Sequence, residues 1–249
     1  MKSAFFRFYE ELNDFLPVDK KKTRFEHKFI DRASVKDMIE AIGVPHIEID
    51  LILVNGKSVD FSYLVNDGDD ISVYPVFEAL DISEIQHLRP KSLRNVKFIV
   101  DIQLGNLSKY MRMLGFDAAY KSDYNENKII NTSLKEKRTI LTKNRELLKR
   151  NEVTHGYWVR NMEIKRQIDE IINRFDLKNE IKEFTRCMEC NTLLEKVGKE
   201  KVINRLPEKV IQYQQEFYYC RNCNKIYWKG SHYERMMETI KNIKHKPGE

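Results

Sequence analysis

Residues 97–120 read KFIVDIQLGNLSKYMRMLGFDAAY, and the order of side chains in this stretch decides the fold class. Lys97 to Val100 is a short, largely apolar run of strand character, and an acid, Asp101, stands at its C-terminal end. Leu104, Leu107, Met111 and Leu114 then recur at helical spacing, and Gly115 closes the stripe as glycine commonly does after a last helical turn. Phe116 to Tyr120 returns to strand character.

The alternation continues toward the C-terminus. The spacing predicts a helix over 125–137 carrying Ile129, Ile130 and Leu134, a strand over 138–142, a short helix over 145–150 and a strand over 156–159. A helix follows over about 162–175, with Ile164, Ile168, Ile171 and Ile172 inside. Strands alternating with helices over residues 96–180 predict a doubly wound parallel sheet whose chemistry lies at the strand C-termini. Asp101, Asp123, Asn144 and Asn161 fall there, with Glu126 close to Asp123. Carboxylates gathered at one crevice hold Mg²⁺ or Mn²⁺, because hard oxygen ligands suit those ions and the ion activates water for attack on phosphorus. An Asp between a strand and a helix also serves as an N-cap, and spacing alone leaves both readings open.

Toward the N-terminus, residues 1–80 read as a separate module. Two strands, over 4–9 and 23–30, precede a helix that Ser34 caps and that carries Val35, Met38, Ile39 and Ile42 before Gly43 and Pro45 end it. Ile49 to Val54 is a strand, Asn55-Gly56 a tight turn, and Val59, Phe61, Tyr63 and Val65 alternate as a short strand would. A turn over 66–70 leads into a final strand over 71–77. Residues 81–95, with His87, Arg89, Pro90, Lys91 and Arg94, are read as the linker.

At the other end stand Cys187, Cys190, Cys220 and Cys223, two Cys-x-x-Cys pairs separated by 29 residues. Each pair presents two thiolates from one turn, and two such turns close a tetrahedral Zn²⁺ site of the structural kind. A redox-active pair is the competing use of such a motif, less suited to two pairs in one chain. Around the second pair, Arg221, Tyr227, Trp228, Lys229, His232, Tyr233 and Arg235 interleave cations with aromatics. That combination grips single strands through phosphate contact and base stacking, although aromatics of this kind also pack small domains. Residues 241–249 form a basic tail.

Charge is divided along the 249 residues: positions 1–90 carry 11 Lys and Arg against 17 Asp and Glu, whereas 91–249 carry 33 against 21. A basic portion joined to an acidic one points to a polyanion partner for the former. The chain has 33% charged residues and lacks a long apolar run and a signal-type N-terminus, so neither membrane insertion nor export is implied and a cytoplasmic location is expected.

The element order of residues 1–80, with Leu53 to Lys57 in its middle and Asp67 to Pro75 near its end, resembles ubiquitin-like β-grasp domains of the sulfur-carrier type. Carriers depend on a free C-terminal Gly-Gly; here Val76-Phe77-Glu78-Ala79-Leu80 stands instead and the chain continues, so the resemblance implies a docking or regulatory module with a protein partner. The run Phe98 to Asp117 is similar to the opening of the Mut7-C family, PIN-like ribonuclease-type proteins with a C-terminal zinc ribbon, some preceded by a ubiquitin-like domain. The likeness continues through Thr139 to Asn144, Tyr157 to Arg160, Arg186 to Asn191 and Tyr227 to Met236. It implies a zinc ribbon over 181–240 and a metal-dependent ribonuclease centred on Asp101, with Asp123, Glu126 and Asn144 at the site. Lys109, Arg112, Lys143 and Arg145 would join the ribbon's cations and aromatics in holding RNA, such as tRNA or ribosomal RNA. Where the family usually has Thr-Arg-Asp this chain has Thr142-Lys143-Asn144, a loss of one negative charge that weakens a divalent site. Binding of RNA without cleavage, and an adaptor role for the β-grasp module, are therefore the rival readings.

Overall fold

A computed structural model describes residues 1–75 and 96–245 of the chain; the linker over 81–95, the last residues of the expected strand over 71–77 and the end of the basic tail lie outside the described residues. The chain divides into two compact units, residues 1–95 with 144–158 and residues 96–143 with 159–249.

In the first unit, β1 (Lys2–Phe8), β2 (Phe25–Phe29), α1 (Val35–Ile42), β3 (Ile49–Val54), β4 (Lys57–Val59) and β5 (Asp70–Pro75) form a β-grasp sheet of order β2-β1-β5-β3-β4 with one helix. The first and last strands run parallel at its centre. Strand alternation sends Ala4, Phe6 and Phe8 into the core while Arg7 stays exposed. The helix starts where expected: Ser34 Oγ accepts from Asp37 N at 3.1 Å, the hydrogen bond of an N-cap. The strand expected over 59–65 forms earlier, at Lys57–Val59. Asn55 (φ 50°) and Gly56 (φ 80°) make a two-residue turn, so pairing with Val54 resumes at once at Lys57. Asp60 then turns the chain by accepting from Ser62 N at 2.8 Å, and Leu64 keeps only an isolated bridge to Ser34.

The second unit begins with β6 (Phe98–Val100), α2 (Gly105–Met113), β7 (Ala118–Ala119), α3 (Glu126–Glu136) and β8 (Thr139–Thr142). The strand β6 pairs in parallel with β7 on one side and β8 on the other, and all three of its residues are buried, as in sheets covered on both faces. The strand expected over 116–120 shrinks to two residues because Phe116 N is spent on Met111 O at 2.9 Å, closing the helix end around Gly115. Next come α4 (Arg145–Lys149) and β9 (Gly156–Trp158), both in the first unit, and then α5 (Ile164–Arg174) back in the second.

The remaining elements are β10 (Glu195–Val197), α6 (Glu208–Tyr213), β11 (Phe217–Tyr219), β12 (Ile226–Trp228) and α7 (Ser231–His245). The three strands form an antiparallel sheet in chain order. The long excursion between the cysteine pairs builds its own small core: Val202, Leu206 and Phe217 are buried, with Val197, Ile211 and Trp228 packed on them.

Candidate metal centre and sheet edge

Both cysteine pairs sit in the same backbone turn. In the first, Cys187 N donates to Thr192 O at 2.8 Å and Asn191 N to Cys187 O at 2.9 Å; in the second, Cys220 N donates to Lys225 O and Asn224 N to Cys220 O, each at 2.9 Å. Asn191 (φ 71°) and Asn224 (φ 59°) take the left-handed conformation that Asn tolerates better than most residues. Cys-x-x-Cys-Asn is thus a repeat legible in the sequence, and its Asn carries the turn.

The four Sγ atoms lie within 4.8 Å of one another, with Cys187 and Cys223 3.4 Å apart and Cys190 and Cys220 3.3 Å apart. A tetrahedral zinc–thiolate centre with bonds of about 2.3 Å spaces its sulfurs by about 3.8 Å, so this donor set fits Zn²⁺ and leaves no open position. Burial, reinforced by the neighbouring thiols, pushes Cys223 up to about 12. Burial acts the same way on Cys190, but hydrogen bonds with Thr192, Asn222 and Cys220 bring it down to about 6. Sulfurs this close do not all ionise without a cation among them. Tyr227 Oη lies 3.1 Å from Cys187 Sγ, and burial first, then that sulfur, raises the phenol far above its ordinary value. Tyr227 therefore serves the cysteine cluster and is not a free stacking platform.

The first cysteine turn is fastened to the start of β7. Asn191 Oδ1 accepts from Ala118 N at 3.0 Å and its Nδ2 donates to Asp117 Oδ1 at 2.7 Å. Arg112, 2% exposed, donates through Nε to Ala118 O at 2.8 Å and through Nη1 to Met188 O and Glu189 O at 2.9 and 2.8 Å. A guanidinium this enclosed does not reach RNA, which corrects the expectation for Arg112. Its donors are consumed by carbonyls that would otherwise lack partners.

At the opposite, carboxyl end of β6, Asp101 is 6% exposed. Its Oδ1 accepts from Ile102 N at 2.6 Å and its Oδ2 from the fully buried Thr142 hydroxyl at 2.5 Å. Asp101 thus caps the 3-10 turn Ile102–Leu104 and is tied to the end of β8. Asp123 and Glu126 are exposed, before α3 and at its first residue. Asn144 Oδ1 accepts from Glu146 N at 3.0 Å and Leu147 N at 3.4 Å, capping α4. Among the described residues only the four cysteines gather three or more ligating side chains; Asp101, Asp123 and Glu126 do not form a second group.

The expected RNA contacts separate in the same way. Lys109 is exposed on α2. Lys143 Nζ is drawn to Asn161 O at 2.7 Å and Val159 O at 3.2 Å. Arg145 stacks over Trp158 at 3.8 Å. Arg221 pairs with Glu195 at 2.6 Å and Lys229 with Glu216 at 2.5 Å. Trp228 belongs to the ribbon core, and Tyr233 packs on Phe184 with centroids 4.5 Å apart. The side chains of His232 and Arg235 lie outside the described residues. The sequence assigns no role to Thr142, Asp117 or Asn191; the recurring Asn after each cysteine pair is the signal for the last.

Among the described residues no helix is long and apolar enough to cross a membrane. Comparison with known proteins matches residues 96–240 to the Mut7-C RNAse domain and residues 1–81 to the Mut7-C ubiquitin domain. No curated protein and no solved structure matches the chain. With a parallel sheet ending in Asp101, a four-cysteine ribbon fastened to it and a β-grasp in front, the chain belongs to the Mut7-C RNAse domain family, an RNA-acting, nuclease-like class.

Proposed function

We propose that the protein is a cytosolic, metal-dependent ribonuclease of PIN-like type, hydrolysing phosphodiester bonds at a centre built on Asp101. The observation that carries this reading is the pair of hydrogen bonds on that carboxylate, from Ile102 N and Thr142 Oγ1. They fix its plane at the sheet's carboxyl edge and leave further lone pairs to accept a cation. A closed cage of protein ligands is not required, because Mg²⁺ is held by one or two carboxylates, waters and substrate phosphates. When bound, Mg²⁺ or Mn²⁺ supplies Lewis-acid stabilisation of phosphate charge and lowers the pKa of a water. The chain's own residues do the rest: Thr142 orients Asp101, Asp123 and Glu126 add negative charge, and Lys109 meets phosphate. Zinc in the four-cysteine cluster has a structural part only.

A second reading, binding of structured RNA such as tRNA or ribosomal RNA without cleavage, is favoured by Asn144. This neutral residue already spends its amide oxygen on the first turn of α4.

One experiment separates the two. Full-length protein is incubated with labelled single-stranded RNA and Mn²⁺, beside Asp101→Asn and Asn144→Asp. The nuclease reading expects cleavage that Asp101→Asn lowers by about 100-fold or more and that Asn144→Asp raises, since Asp caps a helix as well as Asn and adds one charge. Undiminished cleavage by Asp101→Asn removes the proposed centre. Binding without cleavage by the unaltered chain, with cleavage gained in Asn144→Asp, selects the second reading.

A further inference from the structure

Residues 144–158 fall inside the stretch matched by the Mut7-C RNAse domain, yet they form one compact unit with the β-grasp. Contacts tie the two along the whole segment. Near its first and last residues, Arg145 stacks over Trp158 at 3.8 Å, and the Trp158 ring packs on Phe15 with centroids 4.8 Å apart, joining the β-grasp core. In the middle, Lys36 Nζ of α1 donates to Asn151 Oδ1 at 2.7 Å, and His46 Nε2 lies 3.1 Å from Val153 O. At the end, Glu48, 1% exposed, accepts from Trp158 N at 2.9 Å. A buried carboxylate aimed at a main-chain amide is costly without such a partner, which makes this a specific contact and not an incidental one.

From these contacts we infer that the ubiquitin-like domain's partner is an internal one: it docks the segment Asn144–Trp158 and thereby holds in place the helix that Asn144 caps. The role implied by the proposed nuclease function follows from chain order. Asn144 comes two residues after Thr142, the residue that orients Asp101, so the β-grasp is a positioning element for the RNA-acting domain and loss of the docking loosens residues 144–158. This inference rests on the proposed function for its effect on RNA, but not for the docking itself.

The test uses the full chain in four forms: unaltered, Asn151→Lys, Asn151→Lys with Lys36→Glu, and Phe15→Ala. Hydrogen exchange is followed in residues 145–158, with β1 and α2 as internal references. Asn151→Lys, which sets two cations against each other, is expected to speed exchange across 150–154 by about threefold or more and the double variant, with a carboxylate opposite the new lysine, to restore it, while Phe15→Ala speeds exchange across 145–158 by about tenfold. RNA cleavage, or RNA retention if no cleavage is seen, falls in step with lost protection and returns in the double variant. Unchanged exchange over 145–158 in both single variants overturns the docking. Full RNA action despite lost protection overturns the positioning role. Absence of cleavage in the unaltered chain counts against the nuclease reading alone, because exchange and RNA retention still decide this one.

Discussion

Arg138 Nη1 lies 2.5 Å from Asp117 Oδ1, joining the residue before β8 to the residue before β7 across the central strand. The same guanidinium donates to Phe98 O at 3.1 Å, Asn191 Nδ2 donates to the same carboxylate oxygen at 2.7 Å, and Arg186 Nη2 lies 3.5 Å from the other. One acid therefore ties the parallel sheet to the first cysteine turn.

Burial alone would raise the Asp117 carboxyl, but the hydrogen bonds from Arg138 and Asn191, with the charges of Arg138 and Arg186, outweigh it and hold the group below its ordinary value of 3.8. A depressed carboxylate contributes stability that is fully present above 3.8 and is lost as pH falls through the lowered value. Asp117→Asn is expected to flatten the acid limb of a stability–pH curve and to cost about 3–5 kcal/mol at neutral pH, because Arg138 is left partly unpaired. Urea melts from pH 7 downward measure both; an acid limb unchanged by the substitution would refute the assignment.

Metal removal should reach beyond the ribbon. The Met188 and Glu189 carbonyls that receive Arg112 belong to the turn that the cysteines hold. Binding a structural zinc contributes free energy of about 10–16 kcal/mol in small zinc domains, much of it folding energy. Chelation, or Cys220→Ser, is expected to release about one zinc per chain and to lower protection in α2 and β7 as well as in β10 to β12. Hydrogen exchange after chelation gives the answer, and loss confined to the ribbon would show that Arg112 does not transmit the change.

Much of this arrangement was legible because it follows from local rules. The apolar stripe from Leu104 to Leu114, the Ser34 cap, the Asn55-Gly56 turn and both cysteine pairs depend on neighbours within a few residues, and each forms as read. What could not be read depends on partners far along the chain. Arg112 looks like any helix-surface cation, and only the contact with residues 76 and 77 positions away makes it a buried strut. Trp228 reads as a stacking residue until the excursion between the cysteine pairs supplies a core for it. The Asp101–Thr142 bond spans 41 residues and joins two strand ends whose adjacency is fixed by sheet order, which periodicity does not encode.

Arg112 and Lys109, three residues apart on one helix, should therefore behave oppositely. Arg112→Ala removes a guanidinium from buried carbonyls and is expected to destabilise the fold by about 2–4 kcal/mol. Lys109→Ala, at an exposed position, should change stability by less than about 0.5 kcal/mol while reducing the salt dependence of RNA binding by roughly one phosphate contact. Denaturation and RNA titrations at several salt concentrations separate them; an unchanged salt slope for Lys109→Ala would remove it from the RNA surface.

Gly115 and Gly56 both have positive φ, 96° and 80°, but only one is enclosed. A Cβ on Gly115 would clash with Lys182 O, a backbone atom, whereas one on Gly56 meets nothing within 4 Å. Gly56→Ala should thus cost only the left-handed penalty of about 1–2 kcal/mol. Gly115→Ala adds a clash that must displace the strap in which Lys182 N and Phe184 N donate to Leu114 O and Met113 O at 2.9 and 2.8 Å. That strap leads directly into Cys187, so the expected cost exceeds about 3 kcal/mol and zinc affinity falls with it. Paired melts and competitive zinc titration test this. Equal costs for the two substitutions would mean that the strap yields freely, and the ribbon would then owe its placement to Arg112, Arg186 and Asn191 alone.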